Sequence, residues 1–391
     1  MKYKISGRAE FAYMLAAGFL IFFKVYSNTL LSSVFPGFIY KLLPILSALI
    51  CIISVAFRRT MTKERFCFFL TFVFFGMAIY YNTKEMEILA LCFLLGAAVD
   101  VNLEKLLKEY IGIVGSTVFV TFAMSFFGII ADYQYSRAYV VGFGFGIAHS
   151  YGFVYYSHPS WYICFLSLAV LYFSRKISTI ILVGLINSWA YITFTTRLPF
   201  YLLLLFIVIW FVINIIMKKK KDITINYKIA FSIPLILACI CIMLFYSYDG
   251  STQYQYINFL FNGRLGMGYK ALRKYGLSLF GQYVEMVGTF KVSQGIASEY
   301  FFIDSDYLYM LVCYGLAFSI HILYIYGKLL QKTFSIRDSY LFTYILFALI
   351  FAFGNTSLTN ISLCPFILYG ASVVNEKYRM SKIVQIKQAK M

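Results

Sequence analysis

Charged residues are scarce in this chain. Only 13% of its 391 residues are Asp, Glu, Lys or Arg, whereas a water-soluble chain carries roughly 25%. Hydrophobic residues make up 61%, and Phe and Tyr alone contribute 42 and 35 residues. Most of the folded surface must therefore contact something other than water. The composition excludes a set of ordinary soluble domains and predicts a polytopic membrane protein.

Several chemical motifs are missing as well. There is no C-x-x-C pair, and all eight Cys residues fall inside apolar runs, which argues against disulfides and a cysteine metal site. No nucleotide-phosphate loop, dinucleotide-binding glycine fingerprint, H-E-x-x-H or nucleophile elbow occurs. These absences argue against a cytoplasmic nucleotide-sugar enzyme and against an ATP-driven pump. We therefore expect no cofactor and no bound metal.

Long apolar runs dominate what is present. A helix needs about 20 residues to cross about 30 Å of hydrocarbon, so each run counts as one crossing. The runs predict an all-α polytopic membrane protein with about 12 transmembrane helices, the first retained because no small-residue cleavage site follows it. The predicted spans are 9–30, 37–57, 66–82, 88–101, 110–130, 152–174, 177–194, 198–217, 228–247, 305–327, 339–353 and 360–374.

One further apolar stretch, 139–156, decides the topology. If it crossed the membrane, the basic cluster at 218–221 would lie outside the cell. Basic residues are concentrated in cytoplasmic loops, so we interpret 139–156 as an outer or re-entrant segment. Both termini are then cytoplasmic.

The net charge of +18 comes from 34 Lys and Arg residues against 16 Asp and Glu residues. The positive residues form short clusters between apolar runs, unlike the basic face of a nucleic-acid-binding protein, so no nucleic-acid partner is expected. In the predicted topology the cytoplasmic segments hold 24 Lys and Arg residues and 8 acids, while the outer segments hold 8 of each. The basic excess is therefore mostly a topological signal, with anionic membrane lipids as its partner.

The topology divides the chain into four parts. Residues 1–247 contain membrane helices 1–9 and an outer segment at 131–151, and residues 248–304 form one large outer loop. Helices 10–12 follow in 305–374, and 375–391 is a basic cytoplasmic tail. A long loop on one face indicates that the protein works on that face. Within it, Leu265 to Gln282 is predicted to be an amphipathic helix that either lies along the lipid headgroups or is an ordinary loop helix.

Two arginines on the predicted outer side are candidates for anion binding. Arg197 occupies a tight junction between two apolar spans, where it either contacts an anionic ligand or reaches a headgroup. Arg264 follows Gly263, which lets the backbone approach a ligand closely, and a guanidinium can hold a phosphate through two parallel hydrogen bonds. Arg137, Arg273 and Lys274 are further candidate substrate contacts.

The acid-base candidates are His149, His158, Glu285 and Glu299. A histidine on the outer face could transfer protons near neutral pH, although His158-Pro159 also fits an ordinary helix start. The two glutamates are either general bases or solvated loop acids.

Asp304-Ser305-Asp306 has a D-x-D spacing that could bind a divalent ion at a sugar phosphate. The alternative, which we favour, is that Asp caps the N-terminus of the following span. Both aspartates are nevertheless candidate substrate contacts.

Several short motifs occur in a characteristic order along the predicted outer side. They are Arg137 with the glycine-rich stretch up to His149, Thr195-Thr196-Arg197, Asn262-Gly263-Arg264, Leu279-Phe280-Gly281-Gln282, Asp304-Ser305-Asp306-Tyr307-Leu308-Tyr309 and Tyr314-Gly315-Leu316. In this arrangement the chain resembles the bacterial polysaccharide repeat-unit polymerases, the Wzy-type family of O-antigen and capsular polymerases. It departs from that family at His149-Ser150-Tyr151 and His158-Pro159-Ser160, where the family often has His-Pro-Asn.

The resemblance implies a GT-C-like membrane glycosyltransferase of the bacterial cytoplasmic membrane. Such an enzyme takes a sugar chain from a polyprenyl pyrophosphate carrier and transfers it to another lipid-linked repeat unit. Arg197, Arg264 and Arg137 would stabilise the departing pyrophosphate, and Glu285 or a histidine would act as base. A chain-length regulator and other polysaccharide-assembly proteins are candidate partners.

Two alternatives stay open. An O-antigen ligase shares the architecture but transfers the glycan to lipid A core or to protein. A flippase for the same lipid is a non-enzyme alternative, although flippases usually place charges along a central cavity and often show duplicated halves. Here only Lys24 and Lys41 lie at depth, and no internal repeat is evident.

Overall fold

The computed structural model describes residues 7–35, 37–58, 61–136, 147–219, 227–261, 263–288, 292 and 299–376. Within these residues the chain is mostly helical. The helices in the first half are α1 (Gly7–Tyr26), α2 (Phe38–Ala56), α3 (Lys63–Thr83), α4 (Met86–Ala97), α5 (Leu103–Phe126), α6 (His158–Phe173), α7 (Ile177–Phe194) and α8 (Arg197–Lys219). Those in the second half are α9 (Tyr227–Tyr246), α10 (Thr252–Leu260), α11 (Arg264–Tyr275), α12 (Asp306–Tyr309), α13 (Leu316–Ser335), α14 (Ser339–Phe351) and α15 (366–376).

Six of these helices are long and apolar enough to cross a membrane, as counted over the described residues: α1, α3, α5, α7, α8 and α9. Helices α4, α6 and α14, and residues Tyr40–Ala56 of α2, are shorter apolar helices. Most predicted spans coincide with a helix to within four residues at each end. The spans at 110–130 and 152–174 differ more at their starts, because α5 begins at Leu103 and α6 at His158, and the largest differences are near Gly315 and after Phe351. The structure thus confirms a mostly helical chain with several candidate spans, while the total of twelve crossings stays a prediction.

The outward faces of several helices are apolar. Leu185 on α7, Val208 and Phe211 on α8, and Met243 on α9 are between 60% and 65% exposed. Apolar area on this scale would be unfavourable in water, but it is the normal surface of a helix that contacts lipid.

Close helix contacts depend on small residues. A methyl group added to Gly327 on α13 would lie 2.5 Å from the carbonyl oxygen of Phe231 on α9. On α4, a methyl group added to Gly96 would lie 3.0 Å from the Cα atom of Phe69 on α3. Glycine lets the two backbones of each pair approach, which is how helices associate where lipid tails compete with apolar side chains.

Polar contacts show which helix ends lie at the same end of the bundle. At one end, Lys24 near the end of α1 pairs with Glu87 at the start of α4, and Thr29 forms a β-bridge with Phe153. Arg264 and Asp304 pair at this same end, because the hydroxyl of Tyr309, five residues after Asp304, donates a hydrogen bond to Glu85, which lies two residues before Glu87. We call this the Arg264 end.

The opposite end contains the N-terminal caps of three helices. The side chain of Asn102 accepts a hydrogen bond from the Lys105 amide at the start of α5, and Thr62 and Asp338 cap α3 and α14 in the same way. Such caps satisfy amide groups that have no partner within the helix. This end also holds the ion pairs Lys105–Glu10, Arg175–Asp338 and Lys332–Glu376.

The span predicted at 305–327 is not one continuous helix. After α12 the chain forms a π-helical turn at Met310–Tyr314, and α13 starts only after Gly315, whose φ is +92°. Segment 278–282 packs into this break. Leu316 and Ala317 donate backbone hydrogen bonds to the carbonyl oxygens of Ser278 and Leu279. The two motifs that contain Gly281 and Gly315 are far apart in sequence, and a methyl group on either would collide with the backbone of the other segment.

The predicted span at 360–374 is also wrong in its first half. Helix α14 ends at Phe351 and α15 begins only at 366, so residues 352–365 form a long irregular segment. We call it the 352–365 segment. Its Asn, Ser and Thr side chains can hydrogen-bond to nearby backbone, which competes with helix formation, and Pro365 suits the position just before a helix. Most of the segment is buried.

Candidate functional site

An ion pair between Arg264 and Asp304 forms the centre of the Arg264 end. Arg264 is the first residue of α11, and Gly263 before it has a φ of +81° that glycine adopts without strain. The Arg264 Nε atom lies 3.2 Å from Asp304 Oδ2, and each side chain is only about a fifth exposed. Burial raises the pKa of the Asp304 carboxyl, and the Arg264 guanidinium opposes that rise.

The rest of the Arg264 guanidinium points towards the 352–365 segment. A methyl group added to Gly354 would lie 3.3 Å from Arg264 Nη1 and 3.5 Å from a methyl carbon of Leu198. Leu198 adjoins Arg197 at the start of α8. The structure thus brings the chain segments of the two predicted anion-binding arginines to the same glycine, although they are 67 positions apart in sequence.

Arg197 itself is exposed and begins α8. The preceding residue, Thr196, is buried and donates a short hydrogen bond to Ser160 on α6. Across the described ranges, no acidic side chain lies within ion-pair distance of Arg197. Its charge is therefore free to meet an anion at the edge of the Arg264 end.

Tyrosine side chains lie near both the ion pair and the β-ribbon. Burial raises the pKa of Tyr300, and the neighbouring Asp304 carboxylate adds to the rise. Tyr300 also interacts with Tyr156, whose ring lies 5.5 Å from the ring of Tyr135 on β1 (Gln134–Ser136). Strand β1 pairs antiparallel with β2 (Ile147–His149), so that Gln134 is opposite His149.

His149 is held by an aspartate that the sequence did not indicate. Its Nδ1 atom lies 2.5 Å from Asp132 Oδ2. The second oxygen of Asp132 accepts hydrogen bonds from the backbone amides of Ser150 and Tyr151, at 2.9 and 2.7 Å. A carboxylate that fixes one nitrogen of a histidine leaves the other nitrogen available for proton transfer. Asp132 lies 17 positions before His149 in the sequence, and no sequence pattern at that spacing indicates that the two side chains pair.

His158 occupies a different environment. It begins α6, its ring lies between those of Tyr155 and Trp161, and Pro159 follows it in the first helical turn. Its Nδ1 atom is buried without a hydrogen-bond partner among the described residues. The helix-start interpretation fits this position, and His149 is the better placed of the two histidines for proton transfer.

Asp306 does not cap its own helix, contrary to the interpretation we favoured. The cap position of α12 is Ser305, which makes no side-chain capping bond. The fully buried Asp306 carboxylate instead accepts hydrogen bonds from the amides of Leu358 and Thr359 and from the Thr359 hydroxyl. The Asp306 amide donates to the carbonyl oxygen of Ala352 at 2.9 Å.

The two aspartates of the D-x-D motif therefore have different protein partners. Asp304 pairs with Arg264, whereas Asp306 holds both ends of the loop at 352–359. The visible role of Asp306 is to position this loop. The polar residues of the 352–365 segment form no known sequence motif, so the sequence does not mark this segment as part of a site.

The remaining candidates are peripheral. Helix α11 ends at Tyr275, and Gly276 after it has a φ of +67°, so the helix predicted to reach Gln282 ends seven residues earlier. Arg273 and Lys274 are exposed near its end, where Arg273 Nε donates to the Tyr269 hydroxyl and Lys274 lies over the rings of Tyr275 and Phe301. Glu285 and Glu299 are exposed. Arg137 and the glycines that follow it lie outside the described residues.

No family model, curated protein or solved structure matches the chain. The chemical meaning of the site therefore depends on its own residues.

The position of Asp306 generates a stability prediction. Asp306→Ala leaves two buried backbone amides without an acceptor, which costs about 1–3 kcal/mol for each unpaired donor. We expect a lower Tm of the detergent-solubilised protein. The matched control is Asp249→Ala, which removes a carboxylate that accepts a 2.8 Å bond from the Ser251 amide in an exposed loop. Equal Tm values for the two variants would contradict the positioning role.

Proposed function

We propose that this protein polymerises polyprenyl-pyrophosphate-linked oligosaccharide repeat units at the outer face of the bacterial cytoplasmic membrane. The observation that carries the proposal is the Arg264–Asp304 pair, a partly buried guanidinium at the one end of a hydrophobic bundle that also holds Arg197 and the His149–Asp132 pair. Buried charges are costly in such a protein and tend to mark functional sites.

The reaction requires a charge to be stabilised as it forms. A hydroxyl oxygen of the acceptor attacks the anomeric carbon of the donor sugar, and a new glycosidic C–O bond forms. The bond between that carbon and the pyrophosphate oxygen breaks, and its electron pair leaves with the polyprenyl pyrophosphate. Fixed cations near this oxygen lower the barrier, because they meet the charge without reorganisation. Arg264 and Arg197 are the residues proposed for this role.

The acceptor hydroxyl must also lose a proton. We assign this to the free nitrogen of His149, with Asp132 holding the ring and stabilising its protonated form. Glu285 was the other candidate, but it is exposed and nothing in the described residues orients it. His149 is therefore favoured over Glu285 as the base.

Asp304 is the partner of Arg264 when no substrate is bound. Without substrate, the Asp304 carboxylate neutralises Arg264 at 3.2 Å. A pyrophosphate carries more negative charge and can bind a guanidinium through two parallel hydrogen bonds, so it can compete with the aspartate. Arg273 and Lys274 on the exposed side of α11 are suited to contact the lipid headgroups around the incoming carrier.

The proposed sidedness can be tested directly. The Arg264 end should face outward, so Lys270→Cys on the exposed side of α11 should react with a membrane-impermeant maleimide in intact cells. Arg175→Cys, at the opposite end, should react only after permeabilisation. The unmodified protein provides the background from its two exposed native thiols, Cys67 and Cys239. Labelling of Arg175→Cys from outside would reject this orientation.

The arginine assignment predicts a collapse of glycan length. In a strain that lacks the native gene, Arg264→Ala should reduce transfer about 10²–10³-fold, the usual effect of losing one preorganised donor. Gels of surface polysaccharide should then show single repeat units. Arg264→Lys should retain only part of the activity, because an ammonium cannot form two parallel bonds.

Arg175→Ala is the matched control, since Arg175 lies at the opposite end and its Nη2 atom is 3.9 Å from the nearest Asp338 oxygen. It should support chains of full length. Long chains made by Arg264→Ala would contradict the proposal. Accumulation of unligated lipid-linked polymer in the deletion strain would indicate a ligase, and accumulation of repeat units in the cytoplasm would indicate a flippase.

A further inference from the structure

Asn355 has an unsatisfied amide in the interior of the Arg264 end. Its side chain is 2% exposed, yet neither Oδ1 nor Nδ2 has a hydrogen-bond partner among the described residues. Buried polar groups in proteins are almost always hydrogen-bonded, and an exception calls for an explanation. Asn187 on α7 shows the usual case, since its Nδ2 atom donates to Ser167 Oγ at 2.8 Å and to the Val183 carbonyl oxygen at 2.9 Å.

The backbone around Asn355 is held at both ends. The carbonyl oxygen of Ala352 accepts a hydrogen bond from the Asp306 amide, and the Asp306 carboxylate binds the amides of Leu358 and Thr359. Asn355 is in the middle of the loop that this one residue closes. The hydroxyl of Ser357 adds a bond of 3.3 Å to the carbonyl oxygen of Ala348. The hydrogen bonds of the loop therefore fix the position of the Asn355 side-chain amide but provide no hydrogen-bond partner for it.

The residue just before Asn355 adjoins the proposed anion site. Gly354 lies beside the Arg264 guanidinium, so Asn355 is one residue from the group to which we assign the pyrophosphate. An amide offers both donors and an acceptor. It therefore suits a ligand group that can donate and accept, which a sugar hydroxyl does and a pyrophosphate oxygen does not.

We propose that Asn355 binds hydroxyl groups of the sugar attached directly to the pyrophosphate, and so selects the donor sugar. This inference rests on the proposed function, because it assumes that the pyrophosphate occupies the Arg264 site. Asn355 is a specificity residue in this account: it contacts the ligand, but it contributes neither the charge stabilisation nor the proton transfer.

The test compares Asn355→Leu with Asn187→Leu, two buried amides replaced by an apolar side chain of similar size. Asn355→Ala, which adds no bulk, is measured beside them. For each purified variant, Tm in detergent is recorded alone, with bare polyprenyl pyrophosphate, and with the lipid-linked repeat unit isolated from the deletion strain. Titration of each ligand against Tm gives its relative affinity.

We expect Asn355→Leu and Asn355→Ala to keep the Tm of the unliganded protein, since no existing hydrogen bond is lost, whereas Asn187→Leu lowers it. Both Asn355 variants should bind the repeat unit about ten-fold more weakly than the unmodified protein and bind bare polyprenyl pyrophosphate equally well.

Three results would overturn the inference. One is a drop in Tm for both Asn355 variants as large as that for Asn187→Leu, which would make the amide structural. Another is that the Asn355 variants bind the repeat unit as tightly as the unmodified protein does, while Arg264→Ala still loses binding of both lipids. This result would reject the role of Asn355 and leave the proposed function standing. The third is failure of the unmodified protein to bind either lipid, which would reject the proposed function as well.

Discussion

The hydrocarbon interior of a membrane offers no water to a backbone amide or carbonyl group, and this constraint shapes the whole chain. A helix satisfies the constraint within itself, so irregular backbone needs other partners wherever it is buried. In the described residues, the long departures from helix occur at 127–136 and 147–157, at 276–288 and 299–305, and at 352–365, and all of them meet at the Arg264 end. Asp306 is the residue on which the last of them most depends, because it supplies acceptors to buried amides of that segment.

The same constraint acts on the polar side chains at that end. Charged and hydrogen-bonding side chains can be kept there only if each is paired, and most are: Lys24 with Glu87, His149 with Asp132, and Arg264 with Asp304. Among the described residues several groups depart from this rule, including the buried Nδ1 atom of His158, and two of them adjoin the proposed anion site. Arg197 is a solvent-accessible cation without an acidic partner, and Asn355 is a buried amide without one. A substrate with a pyrophosphate next to a sugar would complement both kinds of group.

Hydropathy predicted most of the long helices, because a span of about 20 apolar residues is a local property of the sequence. Arg264 could be singled out as a candidate in the same way, since an arginine after glycine in a long loop is unusual; its role stays a prediction. The break at Gly315 was not predictable in this way. It depends on backbone hydrogen bonds from Leu316 and Ala317 to a segment near Ser278, and only the folded chain brings these residues together.

The site residues that escaped the sequence reasoning share this long-range character. Asp132 is a candidate site residue only because it contacts His149 across a β-ribbon. Asp306 positions a loop only because it accepts hydrogen bonds from amides 52 and 53 positions away. Asn355 carries no motif at all. It becomes notable only because burial removes it from water while no neighbour pairs with it, which is a property of packing and not of the sequence pattern.

The central claim is that one chain catalyses glycan transfer from a lipid pyrophosphate with its own side chains. The most direct measurement uses purified protein in lipid vesicles, supplied only with the lipid-linked repeat unit, and follows the products by mass. The account predicts a ladder of polyprenyl-linked chains that grows by whole repeat units and releases polyprenyl pyrophosphate, without any nucleotide. If the repeat unit binds but neither longer chains nor free polyprenyl pyrophosphate form, the claim is contradicted.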